Sequence, residues 1–146
     1  MSLTPKEKEL VSVGASLAAG CKLCADYHFK KVRKTGASDE EIEQAMSDAI
    51  AVRDRARKIM EWHGLRLLGR KLRGDSGESP VDVADATRIT ELVSIASAFA
   101  VSCTSSLERH IEAARSLGVA DDDIQSAVDI GRFIRGKADS YCCKLI

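Results

Sequence analysis

The chain has 146 residues, of which 45% are hydrophobic and 30% charged, and this composition is typical of one folded globular domain. Its 22 lysine and arginine residues balance 22 aspartate and glutamate residues, which argues against a nucleic-acid-binding or membrane-surface protein. No stretch approaches the roughly 18 apolar residues that span a bilayer, and no export signal is evident, so we expect a cytoplasmic protein. The five cysteines are then redox, metal-binding or core residues rather than a disulfide framework.

Capping signals mark two helix starts in the first half of the chain. Thr4, Pro5 and Glu7 supply a hydroxyl cap, a proline at the first helical position and a carboxylate that can reach back, which predicts a helix there. Ser38 and Glu41 repeat this pattern. They predict the start of a later helix of about twenty residues.

The second half of the chain repeats the first when it is shifted by 82 residues. The identical residues that define this register include Glu9 and Glu91, Cys21 and Cys103, and His28 and His110. Both copies carry apolar residues at three- and four-residue steps, which is typical of a core-facing helix. We therefore predict an all-α fold, a multihelical bundle formed by internal duplication within a single domain, residues 1–146. Repeat 1 covers about 4–72, the polar segment 73–80 is a linker, and repeat 2 covers about 81–146.

Reactive residue types cluster just after Gly20, where we expect the chain to turn. Cys21 and Cys24 are three residues apart, so in a helix their alpha carbons lie within about 5 to 6 Å and the thiols can form a reversible disulfide. The start of a helix favours thiolate, and by this argument alone Cys21 is the more activated cysteine. His28 shares a helix face with Cys24 and can exchange a proton with it. If the second helix runs back along the first, Glu9 lies close enough to orient the imidazole.

These residues form the pattern Glu-x11-Cys-x2-Cys-x3-His, met by Glu9, Cys21, Cys24 and His28. In this the chain resembles the AhpD-like alkylhydroperoxidases of the carboxymuconolactone decarboxylase superfamily. The resemblance implies an AhpD-like helical bundle, a homo-oligomer (trimer or hexamer), and a peroxide or disulfide substrate reduced with electrons from a dithiol donor protein. It also implies that Cys24 is the peroxidatic thiol and that Cys21 closes the disulfide. This interpretation requires neither a cofactor nor a metal.

The chain departs from the family's pattern in two places. Leu23 lies between the two cysteines, where the best-known hydroperoxidases carry a further histidine, and this bears on the strength of any peroxidase activity. In the second copy Cys103, Ser106 and His110 occupy the equivalent positions, so no dithiol can form there although Glu91 is retained. We expect the second copy to be structural.

The residues leave other interpretations open. Two thiolates and an imidazole are three of the four ligands that zinc requires, which would suit a non-catalytic metal-binding or assembly protein. The namesake of the superfamily suggests acid–base chemistry on a lactone-like carboxylate, carried by Glu9 and His28. Near the carboxyl terminus, Cys142 and Cys143 are either core residues or a relay that passes electrons to Cys21.

Overall fold

The computed structural model describes residues 3–70 and 87–146, which form six helices. They are α1 (Pro5–Ala19), α2 (Lys22–Lys34), α3 (Asp39–Leu67), α4 (Arg88–Ala100), α5 (Thr104–Ser116) and α6 (Asp121–Cys143). The described ranges contain no strand, and the predicted all-α class is confirmed. The predicted linker 73–80 lies outside the described residues.

The two capping motifs start α1 and α3 as predicted. Thr4 and Glu7 exchange backbone-to-side-chain hydrogen bonds in both directions, and Ser38 and Glu41 do the same. These bonds satisfy amide groups that the first turn of a helix otherwise leaves unpaired. The predicted length of α3 was wrong, because the helix has 29 residues and continues through Gly64. A glycine inside a helix costs only about 1 kcal/mol relative to alanine, too little to end a long helix.

The helix order of the first half recurs in the second. From Lys22 to Thr104, and from Asp39 to Asp121, the corresponding helix starts are each 82 residues apart. The first helices of the two repeats, α1 and α4, pack on each other, and each also packs on both long helices, α3 and α6. Since neither central helix is covered by its own repeat alone, the two repeats share one hydrophobic core.

Two glycines permit close packing between the central and the long helices. A Cβ at Gly14 of α1 would lie 2.5 Å from Val93 Cγ1 and 3.5 Å from Ala49 Cβ. A Cβ at Gly131 of α6 would lie 2.5 Å from the carbonyl oxygen of Ala96. In the repeat register Gly14 corresponds to Ala96, and Ala49 corresponds to Gly131. In repeat 1 the glycine is on the central helix α1 and the alanine is on the long helix α3. In repeat 2 the glycine is on the long helix α6 and the alanine is on the central helix α4.

An arginine at the start of α4 joins elements of both repeats. Arg88 Nε lies 2.8 Å from Glu7 Oε2, and one of its terminal nitrogens lies 3.0 Å from Asp123 Oδ2. The hydrogen bond from Arg88 lowers the pKa of Glu7 below its usual value. These contacts tie the start of α1 to the starts of α4 and α6.

Candidate active site

A tight turn between α1 and α2 positions the two cysteines. Gly20 has φ of +72°, in the left-handed region that favours glycine, and its amide donates to the Leu17 carbonyl at 3.1 Å. Arg53 of α3 donates to the carbonyl oxygens of Leu17 and Ala18 at 3.2 and 3.1 Å. The guanidinium therefore offsets the negative end of the α1 dipole close to the cysteines.

Cys21 and Cys24 are joined as a disulfide, with their alpha carbons 5.3 Å apart. Cys21 is the N-cap residue of α2, and the amide of Cys24 donates to its Sγ at 3.2 Å. Amides at a helix start stabilise negative charge, so this position favours a thiolate once the disulfide is reduced. Only 8% of Cys21 and 5% of Cys24 is exposed, so exposure does not tell the two cysteines apart.

Glu9 contacts His28 directly. His28 Nδ1 and Glu9 Oε2 lie 2.9 Å apart, and because a carboxylate only accepts hydrogen bonds, Nδ1 is the donor. Lys31 Nζ lies 3.6 Å from Glu9 Oε1, and the carboxylate raises the pKa of Lys31. The hydrogen bond fixes the ring and its tautomer, which leaves Nε2 of His28 to accept a proton one helical turn from Cys24.

A cleft of about 260 Å³ between α2 and α6 opens onto Cys24 and His28, whereas Cys21 does not line it. On the α2 side it is bordered by Leu23 and Tyr27. The residues that line it on α6 are Phe133, Ile134, Lys137 and Tyr141. None of these four residues was predicted from the sequence to belong to the site. The available signal was the four-residue spacing of Phe133, Lys137 and Tyr141, which places these side chains on one helix face.

The second repeat keeps the carboxylate–imidazole pair in a more enclosed position. His110 Nδ1 lies 2.7 Å from Glu91 Oε2, and Glu91 is fully buried at 0% exposure. Cys103 Sγ donates to Ser106 Oγ at 3.2 Å, so the thiol faces a hydroxyl where the first repeat has a disulfide. Ala113 replaces the lysine that contacts the carboxylate in the first repeat. The second repeat therefore keeps the carboxylate–imidazole pair with a single thiol beside Ser106 in place of the disulfide.

Each cysteine segment lies against the long helix of the other repeat. The start of α2 faces α6, and the start of α5 faces α3. The Cys24 cleft is closed by α6, and a separate cleft of about 300 Å³ beside Cys103 is closed by α3. The two clefts differ in chemistry, because α3 contributes Arg53, Arg57 and Met60, whereas α6 contributes two aromatic rings and a lysine. The surroundings of each cysteine segment thus depend on the packing of both repeats.

Cys142 and Cys143 are exposed free thiols near the end of α6, so the alternative that they are core residues was wrong. Alignment alone could not show this, since α6 extends beyond the last residue that it buries, Ile134.

Within residues 3–70 and 87–146, no group of three or more His, Cys, Asp or Glu side chains is arranged to hold a metal ion. No helix in these ranges has the length and apolar character needed to cross a membrane.

Comparison with protein families gives a match for part of the chain. Residues 1–62 match the model of the carboxymuconolactone decarboxylase family. This segment contains α1, α2 and most of α3, and therefore Glu9, Cys21, Cys24 and His28. No curated protein and no solved structure shows significant similarity to the chain.

Proposed function

We propose that the protein is a thiol-dependent oxidoreductase of the AhpD-like kind, which reduces peroxides or disulfides. The match of residues 1–62 to the model of the carboxymuconolactone decarboxylase family supports this proposal. The observation that carries this proposal is that Cys24 shares a cleft with His28 while it is bonded to Cys21 outside that cleft. A dithiol cycle requires a thiol that meets substrate, a nearby proton acceptor and a second thiol within bonding distance.

The proposed cycle starts with both cysteines reduced. His28 takes the proton of Cys24, and the thiolate attacks the terminal oxygen of a hydroperoxide, breaking the O–O bond. The leaving alkoxide takes a proton and departs as an alcohol, while Cys24 becomes a sulfenic acid. The Cys21 thiolate then attacks Cys24 Sγ, and hydroxide leaves as water after protonation. A dithiol donor protein restores the pair by thiol–disulfide exchange and is itself oxidised.

In this proposal Glu9 is a positioning residue and His28 is the proton carrier. The 2.9 Å contact between them keeps Nε2 available and stabilises the imidazolium that forms when Cys24 loses its proton. Lys31 Nζ, 3.6 Å from Glu9 Oε1, places a positive charge beside this pair.

The cellular setting is part of the same proposal. We propose a cytoplasmic protein, where reducing conditions return the disulfide to a dithiol. We also propose the trimeric or hexameric assembly that the resemblance to AhpD-like proteins implies. Exposed apolar side chains at the end of α3 support self-association, since Met60, Leu67 and Leu68 are each more than half exposed.

Mass spectrometry of the reduced protein after peroxide treatment tests the function. We expect the loss of two hydrogens, confined to the peptide that contains Cys21 and Cys24, because the structure joins these two cysteines with their alpha carbons 5.3 Å apart. Protein in which Cys24 is replaced by serine provides the control and should not show this loss. Unchanged thiols in the unmodified protein, under peroxide in excess, would contradict the proposal.

The two histidines allow a matched comparison of the repeats. His28→Gln is expected to slow disulfide formation by about 100-fold, because the general base is removed. His110→Gln should leave this rate within about twofold and instead lower the free energy of unfolding by about 1 to 3 kcal/mol, since it disturbs a buried charged hydrogen bond. Stopped-flow thiol oxidation and urea unfolding measure the two effects. Equal kinetic losses in both variants would argue against a structural second repeat.

A further inference from the structure

The walls of the Cys24 cleft are more apolar than a peroxide alone requires. Three aromatic rings line it, those of Tyr27, Phe133 and Tyr141. Tyr27 and Phe133 are 57% and 58% exposed, so these rings leave apolar surface open to a ligand. Hydrogen peroxide has no apolar surface to place against such walls, whereas an organic body is held there by the loss of water from both surfaces.

Each of these three rings has a lysine ammonium nearby. Lys31 Nζ lies 5.2 Å from the Tyr27 ring centroid. Lys137 Nζ lies 5.7 Å from that of Phe133, and Lys144 Nζ lies 5.4 Å from that of Tyr141. Each pair is within the range of a cation–π contact. The rim of the cleft is therefore electropositive.

Lys137 is the lysine best placed to meet a ligand. It is the only one of the three that lines the cleft, and no carboxylate lines the cleft beside it. Lys31 already contacts the carboxylate of Glu9, whereas Lys137 contacts the Phe133 ring. It lies one helical turn from both Phe133 and Tyr141 on α6. Its ammonium thus adjoins the apolar walls without a counter-ion from the cleft.

The size of the cleft suits a small ligand. A volume of about 260 Å³ corresponds to roughly nine water-sized groups of about 30 Å³ each. This is enough for a single ring or a short chain with its substituents. One end of such a ligand would lie at Cys24 and His28, and the other at Lys137.

We propose that the substrate is a small organic hydroperoxide whose apolar body carries a carboxylate, and that Lys137 of the second repeat selects for this carboxylate. The inference rests on the proposed function and specifies its substrate. The O–O bond breaks at Cys24, two electrons pass from the dithiol to the peroxide, and the products are a hydroxy acid, water and the Cys21–Cys24 disulfide. The carboxylate takes no part in the bond changes and serves to hold the substrate.

The test compares cumene hydroperoxide with its para-carboxylate derivative, with dithiothreitol as reductant. For the unmodified protein we expect kcat/KM to be about fivefold higher with the para-carboxylate derivative than with cumene hydroperoxide. An effect of about this size is typical of a partly exposed ion pair. Lys137→Gln should reduce this preference to less than about twofold, and Lys137→Arg should retain most of it, because only the charge is required. Raising the salt concentration should weaken the preference in the unmodified protein and leave Lys137→Gln unchanged.

Lys58→Gln is the matched control, because Lys58 is an exposed lysine of α3 that lines neither the Cys24 cleft nor the Cys103 cleft. It should keep the full preference for the carboxylate. If both substrates turn over but equally fast, or if Lys137→Gln slows both alike, the selection by Lys137 is refuted while the dithiol activity stands. If the unmodified protein reduces neither substrate and forms no disulfide, the proposed function fails and the inference with it.

Discussion

Cys24→Ser is expected to abolish peroxide reduction, with kcat/KM falling by about four orders of magnitude or more, as for the loss of a nucleophile. The substituted hydroxyl lies at the same place in the cleft but has no accessible thiolate-like form at neutral pH. Stopped-flow measurement of peroxide consumption, with excess reductant, determines the effect. Thermal unfolding of the variant shows whether the fold is retained.

Cys21→Ser should behave differently, because Cys21 does not line the cleft. In a single turnover we expect near-normal consumption of one equivalent of peroxide, followed by a Cys24 sulfenic acid that dimedone can trap. Cys103→Ser changes the equivalent residue of the second repeat and is expected to leave both steps intact. The opposite pattern, in which Cys21 is oxidised and Cys24→Ser still consumes peroxide, would assign the nucleophile to the helix-start cysteine, as the dipole argument alone suggests.

The parts of the site that could be predicted are those set by local geometry. The spacing of Cys21, Cys24 and His28 fixes their places on α2, and the turn at Gly20 brings α2 back along α1. From these facts alone, Glu9 was expected to lie close to His28. In the structure His28 Nδ1 lies 2.9 Å from Glu9 Oε2. Helix periodicity and a single turn were sufficient, because all of these residues lie within one hairpin of helices.

The cleft walls could not be predicted in the same way. Phe133, Lys137 and Tyr141 lie more than 100 residues from Cys24 in the chain, and the duplication shows which segments correspond but not which faces meet. Their positions depend on how closely α6 approaches α4, and this approach is set by side-chain volumes between the repeats. A shift of α6 would displace one wall of the cleft as a unit.

Gly131 is the residue on which this close approach depends. A Cβ there would lie 2.5 Å from the Ala96 carbonyl oxygen and 3.1 Å from its Cα, so the conflict is with backbone atoms that cannot move alone. Gly136 lies five residues further along the same helix, and a Cβ there would meet nothing within 4 Å. Alanine at either position changes the helix propensity of α6 in the same way, but only alanine at Gly131 disturbs the packing of α6 on α4. Comparing the two variants therefore separates the two effects on stability.

Gly131→Ala is expected to lower the free energy of unfolding by about 2 to 3 kcal/mol, because the cost of overpacking exceeds the gain in helix propensity. Gly136→Ala should raise it by about 0.5 to 1 kcal/mol, since alanine restricts the unfolded chain and favours the helix. Urea unfolding followed by circular dichroism measures both, with similar dependence on denaturant expected for each. If Gly131→Ala were as stabilising as Gly136→Ala, α6 would not pack closely on α4, and the cleft that joins Cys24 to Lys137 would lose its structural basis.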